Sequence, residues 1–320
     1  MKRIFACLMF VAVCGSPCAF AQAPAQTVRV AMLAPSALVW VHAVAQEEGF
    51  YAQHNIAVKE LRASDSPSLL QAVSSGSADA GISLGDLAIR AIDHGAPIVI
   101  AGALLDKAAL RLYGGTGIAT VPELDGKDVT AGAVKGGTAD LLRYMLLENG
   151  GNPKSVRMLS IANSRDRLTA LGNGVISGAL LLAPFDAMAA QKGYKQLAVL
   201  REPYTETPLI LNKNWVSEHR NTAIAFVASL KEAAAWMNDP AHRTKTIADL
   251  ATYTGLPTDI CEDAYKFIIL QQKAVPPDLS VSDAGLENIE KIDKAINGAS
   301  ANWQPFVLSH YYDPSLLAAR

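Results

Sequence analysis

The stretch that decides the fold is residues 27–52, TVRVAMLAPSALVWVHAVAQEEGFYA. In its first part Val28, Val30 and Met32 alternate with other residues in a β-branched run, and this pattern predicts a strand. A turn-rich Ala-Pro-Ser follows, and apolar residues then return at helical spacing up to Gly49, which is typical of a helix end. The stretch therefore predicts a strand, a loop and a helix, which is the repeating unit of a parallel α/β sheet.

The same unit recurs along the chain in two series. Strands are predicted at 57–61, 78–83 and 97–105, and then at 128–134, 156–161, 176–182 and 197–200, with helices between them. The glycine-containing stretch 110–118 and the proline-flanked stretch near residue 208 interrupt the series, and we interpret both as crossings between two lobes. Only helices are predicted after residue 217. The predicted lobe 1 comprises residues 27–112 and 208–320, the predicted lobe 2 comprises residues 113–207, and crossings of this kind act as hinges.

The first 21 residues have the features of a cleaved secretory signal peptide. Lys2 and Arg3 form a basic head, residues 4–13 are apolar, and Ala19-Phe20-Ala21 has the small residues of a cleavage site. The apolar run is too short to span a membrane. We expect cleavage after Ala21 and export to the periplasm.

Composition narrows the function. Removal of Lys2 and Arg3 leaves 26 of the 28 basic residues against 30 acidic ones, without a basic patch, so nucleic acid is not an expected partner. Cys261 is the only cysteine after residue 21, so the mature chain is expected to lack an internal disulfide. The six histidines show no metal-ligand spacing, and no GxSxG or P-loop motif occurs. We predict no catalytic residue, no metal and no cofactor.

Six segments occur in the order found in a known family. They are VHAVAQEEGFYAQHNIAV (41–58), LLQAVSSGSADAGIS (69–83), HGAPIVIAGA (94–103), VPELDGKDVTAGAVKGGTADLLRYMLLENGG (121–151), LTALGNGVISGALLLAPFDAMAAQKGYKQL (168–197) and VASLKEAAAWMNDP (227–240). Through them the chain resembles the periplasmic substrate-binding proteins of ABC importers, in the SsuA/THI5-like group of nitrate, taurine, alkanesulfonate and thiamine-pyrimidine binders. The resemblance implies a type 2 periplasmic binding protein fold: two α/β lobes, each a mostly parallel sheet flanked by helices, with the ligand cleft between them.

The resemblance also implies a function. It implies a monomer that captures a small solute by lobe closure and presents it to an ABC permease and its ATPase, with no covalent chemistry and no membrane contact except through the permease. Three alternatives stay open: a thiamine-pyrimidine binder, a pyrimidine-synthesis enzyme of the same fold, and a module that feeds a sensor. The related enzymes use a cysteine-rich motif, whereas this mature chain has only Cys261.

The loops that would contact the ligand are those at the strand ends of both lobes. In lobe 1 the resemblance implies Pro35, Ser36, Leu38, Trp40, Ser64, Asp65, Ser83, Leu84 and Gly102, and in lobe 2 it implies Lys135, Gly136, Gly137, Thr138, Asn163, Ser164, Arg165, Pro184 and Phe185. Most of these residues offer hydroxyl groups or bare backbone amides.

The loop at residues 135–138 carries the chemical prediction. Thr138 begins a helix whose first N–H groups have no partner in the helix, and the preceding glycines let a ligand approach them. With Lys135 as a counter-charge, the loop predicts an oxyanion, a sulfonate or a carboxylate. The alternative is an ordinary turn with a solvated lysine.

Three further side chains have open interpretations. Trp40 either stacks on the ligand or belongs to the core, because its neighbours Leu38 and Val41 are apolar. Arg165 and Arg167 lie in the turn SRDR; one of them could reach the cleft, but we expect a surface pair with Asp166.

Overall fold

The structure is a computed structural model that describes residues 24–298 and 306–318. Its strands are β1 (Gln26–Met32), β2 (Ile56–Arg62), β3 (Ala80–Ile82), β4 (Ile98–Leu105), β5 (Leu110–Gly114), β6 (Asp128–Gly132), β7 (Arg157–Ser160), β8 (Gly178–Leu182), β9 (Lys195–Val199) and β10 (Thr207–Asn212). The predicted signal peptide and its cleavage site lie outside the described residues.

Helices follow nearly every strand. They are α1 (Trp40–Glu47), α2 (Phe50–Gln53), α3 (Ser66–Ser74), α4 (Gly85–Asp93), α5 (Thr138–Glu148), α6 (Ser164–Gly172), α7 (Phe185–Gln191), α8 (Lys213–Glu218), α9 (Arg220–Asn238), α10 (Arg243–Thr254), α11 (Thr258–Tyr265), α12 (Asp283–Asn297) and α13 (Leu308–Tyr311). Helix α11 continues as a π-helix over Lys266–Gln271. Among the described helices, none combines the length and the apolar character that crossing a bilayer requires.

Two five-stranded sheets confirm the predicted pair of α/β lobes. The first has the order β2-β1-β3-β10-β4 and the second the order β7-β6-β8-β5-β9. In the first sheet β10 runs antiparallel to β3 and β4, and in the second β5 runs antiparallel to β8 and β9. Both lobes are therefore mostly parallel, with one inner antiparallel strand each.

The antiparallel strands shift the predicted crossings. The stretch 110–118 was interpreted as a crossing, but it begins with β5, which pairs with β8 from Leu110↔Leu182 onward. The predicted boundary between residues 112 and 113 thus falls inside a strand of the second sheet. The chain actually crosses between the sheets at residues 106–109 and 200–206. Three glycines concealed the apolar strand in the sequence pattern.

Local sequence signals fix the helix starts beside the cleft. Asp65 accepts a hydrogen bond from the Ser68 N–H at 2.8 Å, with Pro67 in the first turn of α3. Asn163 caps α6 in the same way, through the Asp166 N–H at 2.9 Å.

The C-terminal helices hold the two lobes together. Helix α9 packs on α1 of lobe 1, while α12 packs on both α4 of lobe 1 and α5 of lobe 2. The Asn297 side chain, at the end of α12, donates to Asp140 of α5 at 3.2 Å. Lobe 2 therefore contacts lobe 1 through α12 as well as through the two crossings.

Candidate functional site

The two lobes meet at the carboxyl ends of their strands. The Ala37 N–H, just after β1, donates to the carbonyl of Ala183, just after β8, at 3.0 Å. On the other side, a Cβ placed on Gly137 of lobe 2 would lie 3.3 Å from both carboxylate oxygens of Asp86 of lobe 1. In open α/β sheets ligands bind at such strand ends, so the space around these contacts is the candidate site.

The loop after β1 contributes backbone to this site and side chains to the core. Ser36 is buried with extended backbone, and Leu38 is 7% exposed. Trp40 is fully buried; its indole N–H donates to the Thr246 carbonyl at 2.9 Å, and its ring meets Tyr265 edge-on. The structure thus places Trp40 in the core, the second of its two interpretations, while Pro35 stays at the loop surface.

The loop after β2 and the strand β4 have structural tasks. The exposed Asp65 caps α3, and hydrogen bonds from Ser68 lower the pKa of its carboxyl group, with a weaker contact from the exposed Ser64. Gly102 lies within β4 and makes room for another part of the chain, since a Cβ there would lie 3.1 Å from the Cβ and the carbonyl oxygen of Leu279.

The loop after β3 is the part of lobe 1 that faces lobe 2. Ser83 is 2% exposed and Asp86 4% exposed. In the part of the chain that the structure describes, neither the Ser83 hydroxyl nor either Asp86 carboxylate oxygen has a partner in hydrogen-bond geometry. Leu84 precedes α4 with extended backbone, and the next amide, of Gly85, donates to the Glu206 carbonyl at 3.0 Å. Burial raises the pKa of Asp86 to about 6, against the opposing charge of Arg90.

The glycine loop of lobe 2 leads into a helix at Thr138, as predicted, but the charged group that faces it is not the predicted Lys135. Gly136 and Gly137 have positive φ angles of 69° and 51°, a conformation that favours glycine. Thr138 begins α5 and donates its hydroxyl to the Ala131 carbonyl at 2.5 Å. Lys135 is exposed, and the charged group that faces the start of α5 is the Asp86 carboxylate.

The first turn of α6 contains a buried cation that sequence reasoning assigned to the surface. Arg167 is 7% exposed and donates to the carbonyls of Ile161 at 2.8 Å, Leu180 at 2.9 Å and Ala162 at 2.6 Å. The expected surface pair with Asp166 is wrong for this arginine, because its guanidinium lies across the ends of β7 and β8. Burial lowers the pKa of Arg167 to about 10, so it remains a cation at neutral pH.

The other predicted residues of lobe 2 surround this arginine. Ser164 is buried and its hydroxyl accepts from the Leu182 N–H at 3.0 Å, while Asn163 caps α6. Arg165 is exposed and lies over the ring of Phe185, 5.3 Å from its centroid. Pro184 and Phe185 begin α7 and are buried beside the Ala183 contact.

A second carboxyl group, Glu206, lies in the crossing that the sequence analysis treated as a connection. Glu206 is 2% exposed, and no hydrogen-bond partner of its Oε2 is found among the residues that the structure describes. Burial raises the pKa of Glu206 to about 8; the Ala109 N–H lowers it, Asp86 raises it further and Arg167 opposes that increase. Tyr204, also buried, has a pKa well above its usual range for the same reason. The one available signal was an acidic residue directly before a buried strand.

One cavity is separate from this site. It has a volume of about 540 Å³ and lies between the crossing at Asp106 and the segment 269–280, and no predicted site residue lines it.

Within residues 24–298 and 306–318, no three His, Cys, Asp or Glu side chains are grouped closely enough to hold a metal ion.

The chain has recognisable relatives. The model of the family described as NMT1/THI5-like matches residues 41–242. A curated relative, the bicarbonate transport ATP-binding protein CmpC of a Synechocystis strain, is 27% identical over 241 residues, which are 68% of this chain and 36% of CmpC. The chain thus spans about a third of the length of the curated relative that it matches.

Solved structures share the fold at low identity. The ligand-binding component of an ABC-type import system from Staphylococcus aureus, with zinc bound, has a TM-score of 0.74 and 18% identity, covering 91% of this chain and 98% of that one. The nitrate-binding protein NrtA from Synechocystis gives 0.72 and 16%, covering 87% and 83%. The alkanesulfonate-binding protein SsuA from Xanthomonas axonopodis, bound to MOPS, gives 0.68 and 17%, covering 87% and 95%. The two-lobed periplasmic binding protein fold is therefore confirmed.

Proposed function

Because this chain belongs to the NMT1/THI5-like family, we infer that it is the solute-binding component of an ABC transporter. It captures a small organic molecule between its lobes and delivers it to a membrane permease that works with an ATPase. The chain acts in the periplasm as a monomer, after cleavage of the signal peptide following Ala21. Intact-mass measurement of the exported protein tests the cleavage, and a lipid adduct on Cys14 or Cys18 would contradict it.

The arrangement of the lobes supports capture by closure. Each lobe offers polar groups on one side of the site only: Asp86 from lobe 1, and Arg167 with the start of α5 from lobe 2. A ligand that contacts both sides binds the closed form more tightly than the open form and shifts the population toward it.

The observation that carries the ligand class is the buried guanidinium of Arg167. Within the described residues it has carbonyl partners and no ion pair, with three N–H groups engaged. A buried cation without a counter-ion is costly, and an oxyanion of the ligand would offset that cost. The ligand is a small organic anion of the sulfonate or carboxylate type. Arg167 takes the place that the sequence analysis gave to Lys135.

Catalysis is not part of the proposal. Burial raises the pKa of the Cys261 thiol to about 11, so this cysteine is not a thiolate at neutral pH. The residues around the cleft bind and orient, and no nucleophile with an adjacent base is found among those described there.

The test compares a buried arginine with an exposed one of the same lobe. Sulfonates and carboxylates are screened by thermal shift, and hits are measured by calorimetry with Arg167→Gln and with the exposed control Arg157→Gln on β7. We expect Arg167→Gln to weaken binding about ten- to a hundredfold, since it removes a charge-assisted partner, and Arg157→Gln to leave it unchanged. Circular dichroism and melting verify that both variants fold.

Two outcomes would contradict the proposal. Equal affinity of Arg167→Gln and the wild type, with equal salt dependence, would remove the oxyanion role. Chemical conversion of a bound compound, detected by chromatography of the recovered ligand, would replace the binding function with an enzymatic one.

A further inference from the structure

The site contains two carboxyl groups that an anionic ligand alone does not explain. Asp86 and Glu206 come from different segments, and the Gly85 N–H to Glu206 carbonyl bond holds those segments side by side at 3.0 Å. Both residues are more than nine-tenths buried, and three of their four carboxylate oxygens lack a partner in hydrogen-bond geometry among the described residues. Buried acceptors without donors are rare in folded proteins and call for an explanation.

The surroundings of the pair do not supply that explanation. Asp86 faces the amides of Leu87 and Gly137 without hydrogen-bond geometry, and its charged neighbours are Arg90 and Asp140. Glu206 faces the Ala109 amide, Asp86 and Arg167. The Arg167 donors described above point to backbone carbonyls, so this arginine does not pair with either carboxyl group.

We propose that Asp86 and Glu206 form an acceptor subsite for a nitrogen donor of the ligand, an ammonium group, beside the oxyanion position at Arg167. This inference rests on the proposed function and narrows its substrate class to small acids that also carry an amine. The subsite lies at the lobe interface, because Asp86 faces Gly137 of lobe 2. An ammonium group there contacts the carboxylates that closure buries.

The protonation of Glu206 provides a signature of this role. Its pKa of about 8 leaves the carboxyl group mostly uncharged at pH 7. An ammonium group placed against it favours the charged form, so binding at pH 7 releases a proton from Glu206. Asp86 and Asp140 raise the local negative potential, and Arg90 and Arg167 lower it. Tyr204 stays uncharged at pH 7 because burial raises its pKa well above its usual range, and none of these groups changes this direction.

The experiment uses two matched pairs of probes: aminopropanesulfonate with propanesulfonate, and β-alanine with propionate. Calorimetry on the full mature chain should show the amine-bearing member binding about ten- to a hundredfold tighter in each pair that binds. Asp86→Asn and Glu206→Gln keep the side-chain shape and should lose most of that preference. The exposed Glu202→Gln serves as control and should keep it.

Proton release separates binding from a merely structural role. Titrations at pH 7 in buffers of different ionisation enthalpy should show release of up to one proton in the wild type and none in Glu206→Gln. Equal affinity for the two members of each pair, or an unchanged preference in both variants, would overturn the inference.

The two proposals fail in different ways. If neither amine-bearing probe binds at millimolar concentration, the amine subsite is overturned. The proposed function is then judged by whether any sulfonate or carboxylate of the wider screen binds and closes the lobes, as measured by small-angle X-ray scattering.

Discussion

The buried carboxyl group of Glu206 should make folding stability depend on pH, in a direction opposite to that of an ion-paired carboxylate. Burial raises its pKa from 4.5 to about 8. Between these values the folded chain holds a proton that the unfolded chain has released, so the free energy of unfolding falls as pH rises. The stabilisation is complete below pH 4.5 and is lost as pH rises through about 8.

The magnitude follows from proton linkage. One proton bound only in the folded state gives a slope of about 1.4 kcal/mol per pH unit. From pH 6, the pKa of Asp86, to pH 8, that of Glu206, the loss is about 2 to 3 kcal/mol. Glu206→Gln cannot titrate, so its stability relative to the wild type should rise by that amount over this window.

Urea denaturation of the ligand-free protein at pH 4, 5, 6, 7 and 8 measures the effect, with wild type, Glu206→Gln and the exposed Glu202→Gln as control. Asp86→Asn should act in a lower window, because burial raises the pKa of Asp86 from 3.8 to about 6. The reasoning is refuted if Glu206→Gln keeps the wild-type slope between pH 6 and pH 8, or if Glu202→Gln removes it.

Three further substitutions separate scaffold from site. Trp40→Phe removes the hydrogen bond to Thr246 and leaves a cavity, so urea denaturation should show that the free energy of unfolding falls by about 2 to 4 kcal/mol. Ligand titration should show an unchanged affinity, and weaker binding by the folded variant would return Trp40 to the site. Lys135→Ala should leave affinity and its salt dependence unchanged, because the side chain is exposed; a tenfold loss in calorimetry would contradict this placement. Gly102→Ala puts a methyl group 3.1 Å from Leu279 and should cost about 1 to 3 kcal/mol of stability by denaturation, whereas unchanged melting would show that the segment yields freely.

Periodicity predicted most of the fold because the pattern that defines each strand is local. The stretch 97–105 was predicted as a strand and forms β4 (Ile98–Leu105), with every residue buried. The helix predicted to begin at Thr138 is α5 (Thr138–Glu148). The prediction was wrong at the crossings, where β5 has no helix after it and pairs with strands that follow much later in the chain.

The chemistry of the candidate site was harder to predict than its location. The resemblance pointed to loops at the strand ends of both lobes, but the charged groups among them depend on tertiary packing. SRDR reads as a surface ion-pair pattern, yet Arg167 donates to carbonyls of two strands while Asp166 accepts from Asn163 at 2.7 Å. Glu206 had no motif around it, since its burial comes from the docking of the loop at Gly85.

The inner position of β10 has a consequence for how the chain reaches its native state. Strand β4 joins its sheet through β10, which is made only after all of β5 to β9. The second sheet draws on the continuous stretch from Leu110 to Val199 and can assemble from it, whereas the first must wait for Thr207–Asn212. Contacts between residues so distant in sequence form slowly. The N-terminal sheet is therefore the last to be completed, and β4 cannot take its place in it until synthesis has passed residue 212.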